Sequence, residues 1–309
     1  MDYKVAAYIT AYHDTEAIMS SVKAIQLQSY SVERIFIIDN SRNLSISIEQ
    51  ADSIIVEHHP RNIGVAGGLK RALDWSIGQN YDFLWALDQD SQPSENLLQA
   101  LLEKYDELAR KDFLIGIISP SILDMNTQQE FPGSLFEDYR FISFSNPVDY
   151  PSYYECDAVI TSGALISIKS AKLVPLPNEK LFLDAVDYSY CMNFRNKGFK
   201  IIVDRNTLLK HCIGKYYQVK DKKSKSGQVV STFLCSASRY YYACRNHTFV
   251  EIKLSSSKML VKAIVHRLFI MNMFIERIVR YELDSVAIKV LACIIGTFDG
   301  LIGRIGKKW

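Results

Sequence analysis

Asp88 and Asp90 stand one residue apart at the end of an apolar run that includes Phe83, Leu84, Trp85 and Leu87. Two carboxylates at that spacing repel unless solvent or a cation separates them, and hard carboxylate oxygens suit Mg²⁺ or Mn²⁺. Mg²⁺ typically takes only one or two protein carboxylates and leaves positions for phosphate oxygens, which fits a nucleoside diphosphate better than a structural ion. A solvated acidic turn is the competing reading, because Asp-x-Asp alone is a weak signal. A second element is RNIGVAGGLKRAL at 61–73. Gly64, Gly67 and Gly68 permit close backbone approach there, and the following helix offers free N–H groups to an anion. Neither the P-loop spacing nor the dinucleotide fingerprint is met, and a tight packing turn explains the glycines equally well.

These residues need a frame. VAAYITAY, RIFIIDNS, SIIVEHH and YDFLWALDQD read as strands, and DTEAIMSSVKAIQLQ and GGLKRALDWSIGQ as helices, the first opened by Asp14. That order predicts an α/β protein whose mostly parallel sheet is covered by helices on both faces. Ligands of such sheets bind beyond the carboxyl ends of the strands, which puts Thr10, Tyr12, Asp39, Asn40, Asp88 and Asp90 on one rim. Residues 125–155, rich in aromatic, acidic and turn residues, read as a long insertion on the acceptor side. KYYQVKDKKSKSGQVVS reads as a mobile loop, and beyond Arg239 the pattern is helical.

The formal charge of +2 conceals a division along the chain. From Lys253 to Trp309 there are 10 basic and 4 acidic residues, leaving 26 basic and 30 acidic before them. The basic end is a separate object. Six scattered cysteines, with no C-x-x-C pair and no leading signal sequence, predict reduced thiols in a cytoplasmic protein. VAIKVLACIIGTFDGLIG is the best candidate for a membrane span, and Lys289 and Asp299 interrupt it. No nucleic-acid module is visible, so nucleic acid is not expected as a partner.

Beside these readings, an ordered set of segments resembles the family-2 inverting glycosyltransferases, and within them the bacterial rhamnosyltransferase branch. The set comprises Thr10 to His13, IDNS at 38–41, NIGVAGG at 62–68, LDQDS at 87–91, SGALIS at 162–167, FLDAVDYSYCMNFRNKGF at 182–199, His211 and RYYYACRN at 239–246. It covers residues 3 to about 250. The resemblance implies a GT-A fold, a nucleotide-sugar donor such as dTDP-rhamnose, Mg²⁺ or Mn²⁺, and a polysaccharide acceptor. Carried over, Thr10, Tyr12, Asp39 and Asn40 contact the donor base and ribose, while Asn62 and the Gly67–Gly68 turn line the nucleotide site. Asp88 and Asp90 serve the ribose and the metal-bound diphosphate, His211 is the third metal or diphosphate ligand, and Arg245, with Arg239 second, meets the diphosphate. Asp187 is the base that deprotonates the acceptor hydroxyl, with Asp184 as alternate. A departure falls at His13, where the family more often has proline.

An inverting transfer needs a carboxylate opposite the leaving diphosphate and within reach of the incoming hydroxyl, and Asp187 at a helix start also fits an ordinary N-cap. The resulting domain plan is a GT-A catalytic domain over 1–250, its nucleotide-sugar part at about 1–120 and its acceptor part at about 121–250. A basic amphipathic helical region follows over 251–309. That region suits a peripheral membrane surface at the inner face of the cell membrane, consistent with a lipid-linked glycan acceptor, or packing within a homo-oligomer. Alternative readings are a galactofuranosyl- or other hexosyltransferase and a non-catalytic membrane scaffold.

Overall fold

The computed structural model describes residues 2–43, 53–144, 151–214, 216–224 and 228–309. It divides into two compact units, one of 1–135, 143–179 and 186–212, the other of 136–142, 180–185 and 213–309. The second unit takes in the chain from Ile213 onward, and residues 240–244 pack with the helices that follow them.

In the first unit the chain forms β1 (Val5–Ala11), α1 (Thr15–Gln26), β2 (Arg34–Asp39), β3 (Ile54–His58), α2 (Gly64–Gly78), β4 (Phe83–Asp88), β5 (Gln92–Pro93) and α3 (Leu97–Ala109). It continues through β6 (Ile115–Asp124), β7 (Gln129–Phe131), β10 (Tyr153–Cys156), β11 (Leu165–Ser167), α4 (Ile168–Ala171), α5 (Val186–Arg195) and β12 (Lys200–His211). Between β7 and β10 lies a hairpin of β8 (Ser134–Glu137) and β9 (Arg140–Ser143), whose residues 136–142 belong to the second unit. The Asp14 carboxylate caps α1 by accepting from Ala17 N at 3.1 Å, as the sequence predicts.

The large sheet has the order β10-β12-β6-β11-β4-β1-β2-β3, with β5 on β12 and β7 on β6. β3, β2, β1 and β4 are mutually parallel, β12 is parallel to β6, and β11 runs antiparallel to both β4 and β6. Six strands thus share one direction. The central strands are apolar on both faces because helices cover them: β1 and β4 are buried through Ile9 and Leu87. Part of the 125–155 insertion is regular after all, in β7 to β10, and residues 145–150 lie outside the described set.

The second unit holds a hairpin of β13 (Tyr216–Lys220) and β14 (Val229–Phe233), then α6 (Ala237–Leu254), α7 (Leu260–Tyr281) and α8 (Val286–Leu301). The stretch expected as a mobile loop is this hairpin. Its alternation of Tyr216, Gln218 and Val219 against Phe233, Ser231 and Val230 was masked by the lysine-rich turn, of which residues 225–227 lie outside the described set. Tyr240, Tyr241, Tyr242, Cys244, Ile278, Ala292 and Cys293 form the core of this unit. All six cysteines are free thiols.

Candidate active site

The rim expectation holds for the strands themselves. Thr10 is in register with both Asp88 and Ile38, and Ala11 with Asp39, so the ends of β1, β2 and β4 lie side by side. Past Asp88 the chain makes a β-turn closed by Ser91 N donating to the Asp88 carbonyl at 3.1 Å. Asp88 and Asp90 are the first and third residues of that turn, and each carboxylate keeps over a third of its surface exposed.

Three side chains that sequence reasoning passed over fix the turn. The Gln89 amide bridges the backbone of Tyr12, accepting from its N–H at 2.6 Å and donating to its carbonyl at 3.3 Å. Ser91 Oγ accepts from Asp88 N at 3.1 Å and bonds Ser162 Oγ at 2.6 Å, both serines being fully buried. The only sequence sign was that polar residues flanked both motifs, LDQDS and SGALIS.

The third ligand arrives through long-range pairing. Just after the turn, β5 pairs with β12, Gln92 opposite Lys210 and Pro93 opposite Leu209, which draws the end of β12 to the turn. His211, buried, then sits with Nε2 3.6 Å from Asp88 Oδ2 and Nδ1 3.3 Å from Asp90 Oδ1. One ligand atom from each of Asp88, Asp90 and His211 lies within 4.8 Å of the others. Burial works against the imidazolium, but Asp90, then Asp88 and Asp124, outweigh it and hold the His211 pKa above the ordinary value. Asp124 is in register with His211 across β6 and β12, and its carboxylate is engaged by Asn126 and Thr127.

This arrangement fits a divalent cation. The 3.3 Å approach to Asp90 is not aligned as a hydrogen bond, so His211 Nδ1 is a buried polar atom lacking a hydrogen-bond partner. Two carboxylates and an imidazole form a donor set for a hard to borderline ion such as Mn²⁺.

Other predicted residues are placed differently. Asp39 and Asn40 are buried: Asp39 Oδ1 accepts from Ser41 N at 2.9 Å, and Asn40 Oδ1 accepts from Ile63 N at 2.9 Å, tying the rim to the start of α2. Asn62 takes φ +50° and its Oδ1 accepts from Gly64 N at 2.8 Å. Tyr12 is half exposed. His13 has φ +57°, a value that a proline ring cannot reach.

Gly67 and Gly68 lie within α2 and not in a turn. Both are buried inside α2, where a Cβ on Gly67 would meet Ile63 Cβ at 2.9 Å and one on Gly68 would collide with Tyr8 Oη. At Gly68 the glycine serves helix-on-strand packing, and at Gly67 it leaves room for Ile63 at the head of the same helix, demands that local spacing does not distinguish from anion binding.

Arg245 is likewise reassigned. It is fully buried in the second unit and donates to the carbonyls of Gly306, Lys180 and Leu181 and to Asn246 Oδ1, leaving no surface for a diphosphate. Asn246 Nδ2 donates to the carbonyls of Leu181, Leu183 and Asp184. Together they clamp the loop 180–185, in which Phe182, Asp184 and Ala185 all take left-handed φ of +66°, +62° and +55°. Asp184 is therefore not on a helix with Asp187: α5 begins only at Val186. Burial raises the Asp184 pKa, opposed by Arg239 at 3.0 Å, and its Oδ2 has no hydrogen-bond partner. Asp187 is in the first turn of α5, partly exposed, its Oδ1 accepting from Tyr188 N at 2.9 Å.

Comparison with known proteins agrees with this architecture. The model of glycosyl transferase family 2 matches residues 7–151. A dTDP-rhamnosyl transferase, RfbF of Shigella flexneri, is 23% identical over 216 residues, spanning 69% of this chain and 68% of the relative. Among solved structures, GalNAc-T7 with UDP, GalNAc and Mn²⁺ superposes at TM-score 0.54 and 15% identity, covering 68% of this chain. The chain spans only 43% of that protein. Residues 1–349 of S. aureus TarS in complex with UDP-GlcNAc superpose at TM-score 0.54 and 12% identity, over 97% of this chain and 92% of the other. The fold is GT-A, a mixed α/β sheet flanked by helices.

Proposed function

We propose, from the match of residues 7–151 to the model of glycosyl transferase family 2, a metal-dependent glycosyltransferase that moves a sugar from a nucleoside diphosphate to an acceptor hydroxyl with inversion. The observation that carries this reading is the convergence of Asp88, Asp90 and His211 at the carboxyl rim of the sheet. Asp88, Asp90 and His211 would hold a divalent cation, which would supply positive charge to the leaving diphosphate. Gln89 and Ser91 fix the turn, so the carboxylates are oriented before any ligand arrives.

Asp187 takes the proton of the acceptor hydroxyl as its oxygen bonds to the anomeric carbon and the bond to the diphosphate breaks on the opposite face. Thr10 and Tyr12 lie beside the turn on the strand rim and line the nucleotide side. The sugar we assign is L-rhamnose on dTDP, supported by the Shigella flexneri relative. The acceptor we assign is a lipid-linked or growing cell-surface glycan at the inner face of the membrane. A UDP-linked hexose is the second reading, favoured by the TarS complex that matches over 97% of the chain.

The test is a panel of nucleotide sugars offered to purified protein with Mg²⁺ or Mn²⁺, with EDTA as control. Metal-dependent hydrolysis or transfer with dTDP-rhamnose supports the assignment. Turnover of a UDP-hexose instead selects the second reading. No nucleotide affinity under any condition refutes both and leaves a non-catalytic scaffold.

A further inference from the structure

The helices α7 and α8 turn apolar side chains outward. In α8 and the residue that ends it, Ile288, Leu291, Ile294, Phe298 and Ile302 follow one another at three- or four-residue steps and are 45% to 59% exposed. The inward side of α8 is small or polar, with Lys289, Ala292, Gly296, Thr297, Asp299 and Gly300 all buried. A Cβ on Gly296 would strike the Tyr241 carbonyl and one on Gly300 the Arg245 carbonyl, so close packing on α6 fixes which side faces in. In α7, Val261, Val265, Phe269 and Met273 recur every four residues at 52% to 71% exposure, while Arg267 is buried against Glu251. A globular surface helix has the reverse pattern, and exposed apolar stripes of this length mark a contact surface.

Charge selects what makes the contact. From Lys253 onward the exposed charged side chains are Lys253, Lys258, Lys262, Arg304, Lys307 and Lys308 against only Glu276 and Asp284. Both exposed acids are in ion pairs, with Lys223 and Lys289; the buried Glu282 is paired with Lys289, and the buried Asp299 with Lys308 and Arg304, which leaves Lys253, Lys258 and Lys262 outside these pairs. Two copies meeting through this face would bring like charges together. An anionic bilayer offers both apolar depth and counter-charge. Among the described residues no helix is long and apolar enough to cross a membrane, so the contact is with the surface.

We propose that the outward faces of α7 and α8 seat this protein on an anionic lipid bilayer, with the apolar stripes in the interface and the lysines and arginines among the headgroups. The reading is independent of the glycosyl transfer above.

The full chain is tested by cosedimentation with phosphatidylcholine vesicles with and without phosphatidylglycerol. Binding is expected to the anionic vesicles and to fall with salt. The doubly substituted Ile294→Glu/Phe298→Glu protein loses affinity by about tenfold or more, since each side chain is solvent-exposed in the free protein and apolar burial drives the contact. Val265→Glu/Phe269→Glu tests α7 in the same way. Lys258→Gln and Lys262→Gln each weaken binding by about fivefold.

Circular dichroism establishes that the variants are folded. Nucleotide binding, measured on the same preparations, stays unchanged if the surface is separate from the site. Parent protein that ignores anionic vesicles, or variants that bind as the parent does, overturns the proposal. So does a parent dimer that Ile294→Glu/Phe298→Glu dissociates without any vesicle binding, which assigns the face to a second copy. Vesicle binding by a protein that binds no nucleotide leaves this inference standing while the proposed function falls.

Discussion

Replacing Asp90 by Asn tests the cation site with little change of shape. In the parent protein the three ligand atoms lie within 4.8 Å of one another. Two carboxylates at that separation repel by about 1 kcal/mol in bulk water and by about 3–4 kcal/mol at an effective dielectric of 20, and the site's partial exposure puts it between these limits. A cation relieves that repulsion, so its binding is reported as added stability. At a cation concentration of about 100 times Kd the parent gains about 2.7 kcal/mol, which for a protein of this size raises Tm by about 4 °C. Loss of a direct ligand weakens binding at least as much as the roughly 100-fold upper range for an indirect one. The prediction for Asp90→Asn at the same cation concentration is then a residual gain of about 0.4 kcal/mol and a Tm shift of about 1 °C. The assay is thermal unfolding with Mn²⁺ titrated in the presence and absence of a nucleoside diphosphate, with His211→Ala run in parallel. Should both variants keep the parent's full Mn²⁺-induced shift, the Asp88, Asp90 and His211 cluster is an ordinary polar rim and the reasoning fails.

Asp187→Asn is predicted to retain donor binding while transfer falls about 10²- to 10⁴-fold; turnover equal to the parent removes it as base. Gly68→Ala, measured by denaturant unfolding, loses about 1–3 kcal/mol because the added Cβ meets Tyr8 Oη inside a packed helix–strand contact, and an unchanged midpoint would mean the helix shifts freely. Arg245→Met strands the carbonyls of Lys180, Leu181 and Gly306 and is expected to cost about 3–5 kcal/mol in the same measurement, whereas a diphosphate ligand would show its loss in donor affinity with stability intact. Asp184 has a native pKa raised by burial, with Arg239 opposing, so the folded state binds more protons than the unfolded chain. Its contribution to stability is therefore fully present below the unfolded carboxylate value and is lost as pH rises toward the folded one. Asp184→Asn is predicted to flatten that decline, and an unaltered pH profile of Tm counts against a strained, charge-excluding loop.

Much of the site was legible in sequence because its parts sit at strand ends. An apolar run that stops at two carboxylates specifies a buried strand and a polar rim, and the alternation of strand and helix specifies a sheet whose ligands bind at that rim. These are local consequences of side-chain period and chain termination, and the structure bears them out for β1, β2 and β4. The GT-A resemblance carried the fold further than periodicity could, since the reversed strand β11 between β4 and β6 has no local signature.

What only the tertiary structure decided were the partners across long sequence separations. His211 reaches the aspartates because β5 pairs with β12, and a pairing register is set by the packing of the whole sheet. Gln89 is an ordinary turn residue in sequence and becomes the tie to Tyr12 only when β1 and β4 lie side by side. Gly67, Gly68 and Arg245 have residue types that suit phosphate chemistry as well as they suit dense packing, and burial alone separated the two. The sequence by itself determined which groups stand at the rim and that the C-terminal end is helical and basic. Which of those groups meet, and which face of each helix is turned outward, follows from close packing, because only the assembled core fixes distance and exposure.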